Sequence, residues 1–283
     1  MTDAAPPDRP EGPASGPVVS VVIPTRDSAG GLGRSIASVR RVGSIAVEII
    51  VVDGGSADAT ASIAAATGAS FVRGPYPRAT ARRIGAERSS APYLLFLDSD
   101  QTVEAGLVEE CVNLALQHGW DAVKIPERDE QWGSFAGSRA LDRRLAGGDA
   151  LAYPRFFAHA AYDAIGGHRP GLEDFMEDRA LFLRFEGSRR PWGWSRRSIT
   201  NHLGRVNPID LGRRGARSAH DAAAFLGPGR LAGASLRSVV RPRLEALANG
   251  AAGQSAGVGT WLAFPVYVLA VYGPRLLTAA SRR

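Results

Sequence analysis

Two carboxylates two residues apart, Asp98 and Asp100, close the apolar run Tyr93-Leu94-Leu95-Phe96-Leu97, with only Ser99 between them. A buried strand that ends this way delivers both acids to the carboxyl edge of a sheet, where open α/β proteins bind their ligands. Hard oxygen donors at that spacing suit Mg²⁺ or Mn²⁺, ions able to bridge the phosphates of a nucleotide. The same residues also make an ordinary acidic turn after a strand, and taken alone they leave both readings open.

Three other stretches ask for the same chemistry. Residues 18–23 are a β-branched run cut off by Pro24, with a period that does not fit an amphipathic helix. They read as a central parallel strand, with Pro24, Thr25 and Arg26 following it toward the ligand. Residues 47–52 form a second apolar strand, ending in Asp53-Gly54-Gly55-Ser56. Gly55 lets backbone approach a ligand closely, and the Asp53 carboxylate can accept hydrogen bonds from a base or ribose. Ser56 also reads as the N-cap of a following helix, which is compatible with a nucleotide site. The third stretch, 77–86, carries Arg78, Arg82 and Arg83 on a helical pattern. An arginine there can hold phosphate or a base edge through its planar fork, or simply belong to a solvated face.

The order strand, helix, strand, helix, strand, helix, strand, Asp-Ser-Asp resembles the nucleotide-binding half of family 2 glycosyltransferases. That resemblance implies the GT-A fold, an α/β architecture with a mostly parallel, Rossmann-like sheet flanked by helices, here with a C-terminal helical appendage. It extends to Gly166-Gly167-His168-Arg169 and to Glu177-Asp178 with Leu181 and Arg184 behind it. By the resemblance Asp178 is the general base and Glu177 helps to position it. A base is chemically required, because an acceptor hydroxyl attacks poorly until its proton is removed. Glu173 and Asp174 are a rival acidic pair, although Leu181 and Arg184 keep register with the later one. His202, at the end of a short predicted strand from Ile199, resembles a further contact to metal or diphosphate. By default it is a surface histidine in a basic segment. Arg213, Arg214 and Arg217 follow at the distance where relatives carry a basic helix near the donor diphosphate, and a solvated helix face is the alternative.

The resemblance spans residues 17–225. It implies an inverting transfer of a sugar from a nucleoside-diphosphate sugar to a saccharide or lipid-linked acceptor. Asp98, Asp100 and His202 would hold Mg²⁺ or Mn²⁺. Pro24, Thr25, Arg26, Asp53, Gly55, Arg82, Ser99, Arg213 and Arg214 would surround the nucleotide. Two departures bear on the nucleobase: Gly54 stands where many relatives carry a second acid, and Arg83 where many carry asparagine. A nucleotidyltransferase would also use paired acids and metal, but it would want a glycine-rich phosphate loop with a lysine, and residues 24–34 contain none. A non-catalytic sugar-nucleotide-binding protein would have little reason to keep Asp98, Asp100 and Asp178 together.

At 283 residues, with 45% hydrophobic and 22% charged residues, the chain has an ordinary globular balance and can bury a sizeable core. Three segments are expected: a disordered tail over 1–17, a catalytic domain over 18–225 and an apolar or helical segment over 226–283. The tail holds five prolines and lacks the basic start and hydrophobic stretch of a secretory signal, so the catalytic domain is expected in the cytoplasm. The single cysteine, Cys111, cannot form an internal disulfide and should pack a helix against the sheet. Lys124 is the only lysine, and arginines crowd residues 188–243 against only Asp210 and Asp221, in a chain of net charge +6. Such a patch can grip diphosphate, an acidic acceptor or anionic lipid; nucleic acid ranks last, because no recognition motif or interleaved aromatics accompany the charge. Residues 258–274 are uncharged and aromatic, but prolines at 265 and 274 interrupt a run already shorter than the ~20 residues of a membrane span. Contact with the inner face of the membrane, a buried or homodimer surface, and a true span all remain readings of that segment.

Overall fold

The computed structural model describes residues 16–40, 45–132, 136–145, 153–171 and 177–205, with residue 268 besides. Glu173, Asp174, Arg213, Arg214 and Arg217 lie outside them, as do the N-terminal tail through residue 15 and all of the apolar run 258–274 except residue 268.

The alternation read from the sequence is present: β1 (Val19–Thr25), α1 (Leu32–Arg40), β2 (Val47–Asp53), α2 (Thr60–Ala66), β3 (Ser70–Arg73), α3 (Arg78–Glu87) and β4 (Tyr93–Phe96). After Asp100 come β5 (Gln101–Val103), α4 (Leu107–His118), β6 (Ala122–Lys124), β7 (Glu127–Trp132) and α5 (Ala136–Leu145). Then follow β8 (Pro154–Ala158), α6 (His159–Ala164), α7 (Glu177–Gly187), β9 (Trp192–Trp194) and β10 (Ile199–Arg205).

Seven strands form the main sheet in the order β3-β2-β1-β4-β8-β6-β9, and β5-β10-β7 form a second, three-stranded sheet. The four N-terminal strands are mutually parallel, as short helical crossovers require, and β8 enters antiparallel to both β4 and β6. The carboxyl ends of β1, β2 and β4 therefore share one edge.

β1 is buried on both faces, which explains its near-continuous apolar run. Val19, Val21 and Ile23 pack with Leu32, Ile36 and Val39 of α1 and with Cys111 of α4, so the cysteine does join helix to sheet. Val22 faces the other way, among Leu94, Phe96, Phe157, Tyr162, Leu181 and Phe185. There α3 presses so close that a Cβ on Gly85 would stand 2.2 Å from a Val22 methyl. Pro24 does not end the strand as its sequence position implies. β1 runs on to Thr25, because pairing with β4 stops at Val22 and leaves the proline only one neighbouring strand. β10 likewise continues beyond His202, through a bulge at which Gly204 takes a left-handed φ of 64°.

Candidate active site

The centre of the site is Arg82. α3 turns its small residues Ala79, Ala81, Gly85 and Ala86 onto the sheet, and Arg82 is carried inward with them to 1% exposure. Its Nη2 donates to Asp98 Oδ1 at 2.7 Å, and its Nη1 donates to Asp178 Oδ1 at 2.7 Å and to Glu177 Oε1 at 3.0 Å. Arg82 is thus not on a solvated face: its fork joins the acid after β4 to the acid pair that begins α7. Arg155 of β8 makes the same link from the other side, with Nη2 3.5 Å from Asp98 Oδ2 and Nη1 3.5 Å from Asp178 Oδ2.

These contacts set the protonation states. Burial pushes the Asp98 carboxyl up, but the guanidiniums of Arg82 and Arg155 outweigh it and hold the group down at about 2. Asp178 is half-buried, yet the same two arginines and His168 hold it well below the usual carboxylate range. Glu177 goes the other way: burial, then the neighbouring Asp178 charge, push it up to about 7 against the pull of Arg82. Two adjacent acids are thereby driven apart, one held ionised and the other able to keep a proton near neutrality.

His168 completes this wall. Its Nε2 lies 3.3 Å from Asp178 Oδ1 and its Nδ1 3.0 Å from the Tyr162 hydroxyl. Burial lowers it to about 4 despite its bond to Asp178, so the ring is neutral at physiological pH. The glycine pair before it is dictated by packing: Gly166 and Gly167 have φ of 76° and 51°, and a Cβ on Gly167 would stand 2.7 Å from the Tyr162 ring. Arg184 donates to the Gly167 carbonyl and, at 3.2 Å, to that of Ile165, which accounts for its register with Asp178.

The β1–β2 edge is a second group. Asp53, fully buried, accepts from Ser56 N at 3.1 Å, the Ser56 hydroxyl and, at 3.4 Å, Thr25 Oγ1, with Arg73 Nε at 3.4 Å. Pro24, Thr25, Arg26, Asp53 and Gly55 gather here. Ser56 is not an N-cap; α2 begins only at Thr60, whose N–H donates to Asp58 at 3.0 Å. A side chain at residue 54 is excluded, since a Cβ would meet the Tyr76 carbonyl at 2.7 Å, so the second acid of many relatives has no room. Arg83 pairs with Glu87 at 3.2 Å, one helical turn on. Ser99 donates to Ser28 Oγ at 2.8 Å and ties the loop after β4 to the loop after β1.

The third group surrounds Asp100, which is exposed. The His202 N–H donates to the Asp100 carbonyl at 2.8 Å, continuing the β5–β10 register by one pair and setting the two residues side by side. The imidazole is held on both nitrogens, by Glu130 at Nδ1 and by Thr102 Oγ1 at 2.8 Å from Nε2. No cluster of three or more His, Cys, Asp or Glu side chains fit for a metal occurs among the described residues. The exposed Asp100 carboxylate nonetheless fits Mg²⁺ or Mn²⁺ on a nucleotide, because such ions take only one or two protein carboxylates and complete their shell from phosphates and water; His202 would join it only by giving up its contact with Thr102. Asp98, with both oxygens turned to arginines, fits that role less well than Asp100.

Residues 20–176 match the model of glycosyl transferase family 2. The chain belongs to that family. The matched stretch stops immediately before Glu177. This family 2 glycosyltransferase also shares its fold with solved structures. A mannosyltransferase from Pyrobaculum calidifontis, in complex with GDP-Man and Mn²⁺, superposes with a TM-score of 0.61 at 17% identity, over 95% of this chain and 87% of that one. Glucosyl-3-phosphoglycerate synthase from Mycobacterium tuberculosis, with Mn²⁺, UDP and phosphoglyceric acid, gives 0.53 at 22% identity, over 75% and 78%. TarS residues 1–349 from S. aureus, with UDP-GlcNAc, gives 0.52 at 16%, over 89% and 81%. No curated protein sequence matches. Among the described residues of this glycosyltransferase, no helix is long and apolar enough to cross a membrane.

Sequence reasoning missed Arg155, Glu127, Gln101 and Asn201, and it placed His168 in the glycine-pair motif without giving it a role. Arg155 did leave a signal, a lone charge inside the otherwise apolar strand Pro154–Ala158.

Proposed function

We propose that the chain transfers a sugar from a nucleoside-diphosphate donor to an acceptor hydroxyl or phosphate, with inversion, and that a divalent metal is required. The observation that carries this reading is the double grip of Arg82: the Asp98-Ser99-Asp100 edge and the Asp178 carboxylate meet on one buried guanidinium. If the first carries the donor-side groups and the second the acceptor-side base, both belong to one site, as a single displacement needs. The GDP-Man, UDP-GlcNAc and Mn²⁺ of the solved structures above support the donor class and the ion.

In this reading Asp100, with His202 once its Nε2 leaves Thr102, would hold Mg²⁺ or Mn²⁺, and the ion would offset negative charge on the departing diphosphate. Thr25, Arg26, Asp53, Gly55 and Ser99 border the nucleotide, with Arg213 and Arg214 assigned to its diphosphate. Asp178 accepts the acceptor proton. The arginines keep it ionised but also make it a weak base, so the proton moves late, as the new bond to the anomeric carbon raises the acidity of the attacking oxygen. Glu177, raised by burial and by the neighbouring Asp178 charge, helps to position the base and limits the negative charge beside it whenever it carries a proton. One attack from the face opposite the diphosphate inverts the anomeric centre without a covalent intermediate.

A panel of UDP- and GDP-sugars, assayed for nucleoside diphosphate release with candidate saccharide, lipid-linked and phosphorylated acceptors, tests the reading. Acceptor-dependent release from one donor supports it. Binding of donors with no transfer to any acceptor would favour a sugar-nucleotide-binding protein.

A further inference from the structure

We propose that four residues outside the reacting groups, Gln101, Asn201, Glu127 and Arg155, form with Asp98 a ring of four hydrogen bonds closed by one ion pair, and that this ring positions the acidic edge of the donor site. This rests on the reading of the Asp98-Ser99-Asp100 edge as the donor edge. The five members come from five places in the chain: the turn after β4, then β5, β10, β7 and β8.

The ring is continuous. The Asp98 N–H donates to Gln101 Oε1 at 2.9 Å, and Gln101 Nε2 donates to Asn201 Oδ1 at 2.6 Å. Asn201 Nδ2 donates to Glu127 Oε2 at 3.1 Å and also to Asp129 Oδ1 at 2.8 Å. Arg155 Nε donates to Glu127 Oε1 at 3.0 Å, and its Nη2 returns to Asp98 Oδ2 at 3.5 Å. Gln101, Asn201 and Arg155 are all buried.

The ring also has a direction. A backbone N–H and an arginine Nε–H can only donate, so the donors entering from Asp98 and from Arg155 must converge on a group that only accepts. Glu127 is that group, and it fixes the orientation of both amides. The consequence reaches the metal side, because the residue after Asn201 is His202, whose N–H holds the Asp100 carbonyl. Both ends of the Asp-Ser-Asp motif are therefore tied to successive residues of β10, and the ring sets where Asp98, Asp100 and His202 stand relative to one another. As polar groups withdrawn from water, its members gain most when every pair is satisfied and lose most when one is not.

Glu127→Gln keeps size and shape but puts a donor where the ring needs an acceptor. Flipping Asn201 and then Gln101 only moves the mismatch to the Asp98 N–H. A second change, Gln101→Glu, makes residue 101 the terminal acceptor and reverses the ring, so the double variant restores every pair except Asn201 with Asp129. In Glu127→Gln, amide hydrogen exchange at Asp98, read by NMR without substrate, should accelerate about tenfold or more. Donor KM and the Kd for a Mn²⁺-nucleoside diphosphate should rise about tenfold with a smaller change in kcat, and the double variant should recover most of both. Unchanged exchange at Asp98 in Glu127→Gln, or a double variant as impaired as the two single ones summed, would overturn the proposal. If Glu127→Gln does not fold, a folded double variant with native exchange supports the ring and an unfolded one overturns it. Exchange that responds as expected in a protein that binds no nucleotide supports the ring and removes only the donor reading.

Discussion

Arg82 Nη1 and Asp178 Oδ1 stand 2.7 Å apart although α3 and α7 are separated by nearly 100 residues of chain, and the second nitrogen of the same guanidinium stands 2.7 Å from Asp98. A planar fork serves two carboxylates at once, which a lysine, with a single point charge, does not. The arginine at the middle of an arginine-rich helix is thus the joint between the two halves of the site.

Removing that joint leaves carboxylates with much of their compensation gone. Breaking a buried ion pair by deleting one partner costs about 3–5 kcal/mol. Arg82→Met should therefore unfold in urea at a markedly lower midpoint, and Arg82→Lys should keep part of the stability but lose most of the activity. Near-native turnover in Arg82→Lys would mean that the bridge has no catalytic consequence.

Metal dependence should reside in Asp100 more than in Asp98. Asp100→Ala should abolish turnover and weaken nucleotide binding in Mn²⁺ far more than in EDTA. Asp98→Asn should act chiefly on stability, because it loses charge toward Arg82 and Arg155. Calorimetric titration of nucleoside diphosphate with and without Mn²⁺ separates the two, and wild-type turnover in EDTA would contradict the assignment.

His168 and Glu177 should give opposite pH dependences. His168 is lowered in the fold to about 4, so between its unfolded value near 6.5 and about 4 the unfolded chain binds more protons, and stability falls as pH falls through that window. Glu177 is raised to about 7, so between about 7 and its unfolded value near 4.5 the folded chain binds more protons, and stability rises as pH falls. The two partly cancel in the native protein. Urea midpoints from pH 7 to pH 4 should therefore fall more steeply in Glu177→Gln than in the native chain, and less steeply in His168→Gln. Parallel curves for all three proteins would show that neither group titrates as its surroundings imply.

What was legible in the sequence is what repeats or clusters along it. The apolar strands β1, β2 and β4, the alternation with helices, and the acids at 53, 98, 100, 177 and 178 are local patterns, and each sits in or at the end of the element that its neighbours imply. The ring around Glu127 is not local. It depends on β10 lying between β5 and β7, strands 70 to 100 residues away, and no periodicity announces such pairing. Arg82 was legible as an arginine in a helix but not as a buried one. The clue lay in Ala79, Ala81, Gly85 and Ala86, small residues that let this face approach the sheet.

The most direct measurement compares donor binding with transfer in Asp178→Asn. The substitution keeps size but removes the proton acceptor and the charge toward Arg82 and Arg155, so it is compared with wild type at a temperature where a urea titration shows both folded; single-turnover transfer should then fall by about 10²-fold or more while the donor Kd changes by less than about threefold. Transfer at the native rate in Asp178→Asn would contradict the account, because the carboxylate held by Arg82, Arg155 and His168 would then have no part in the chemistry.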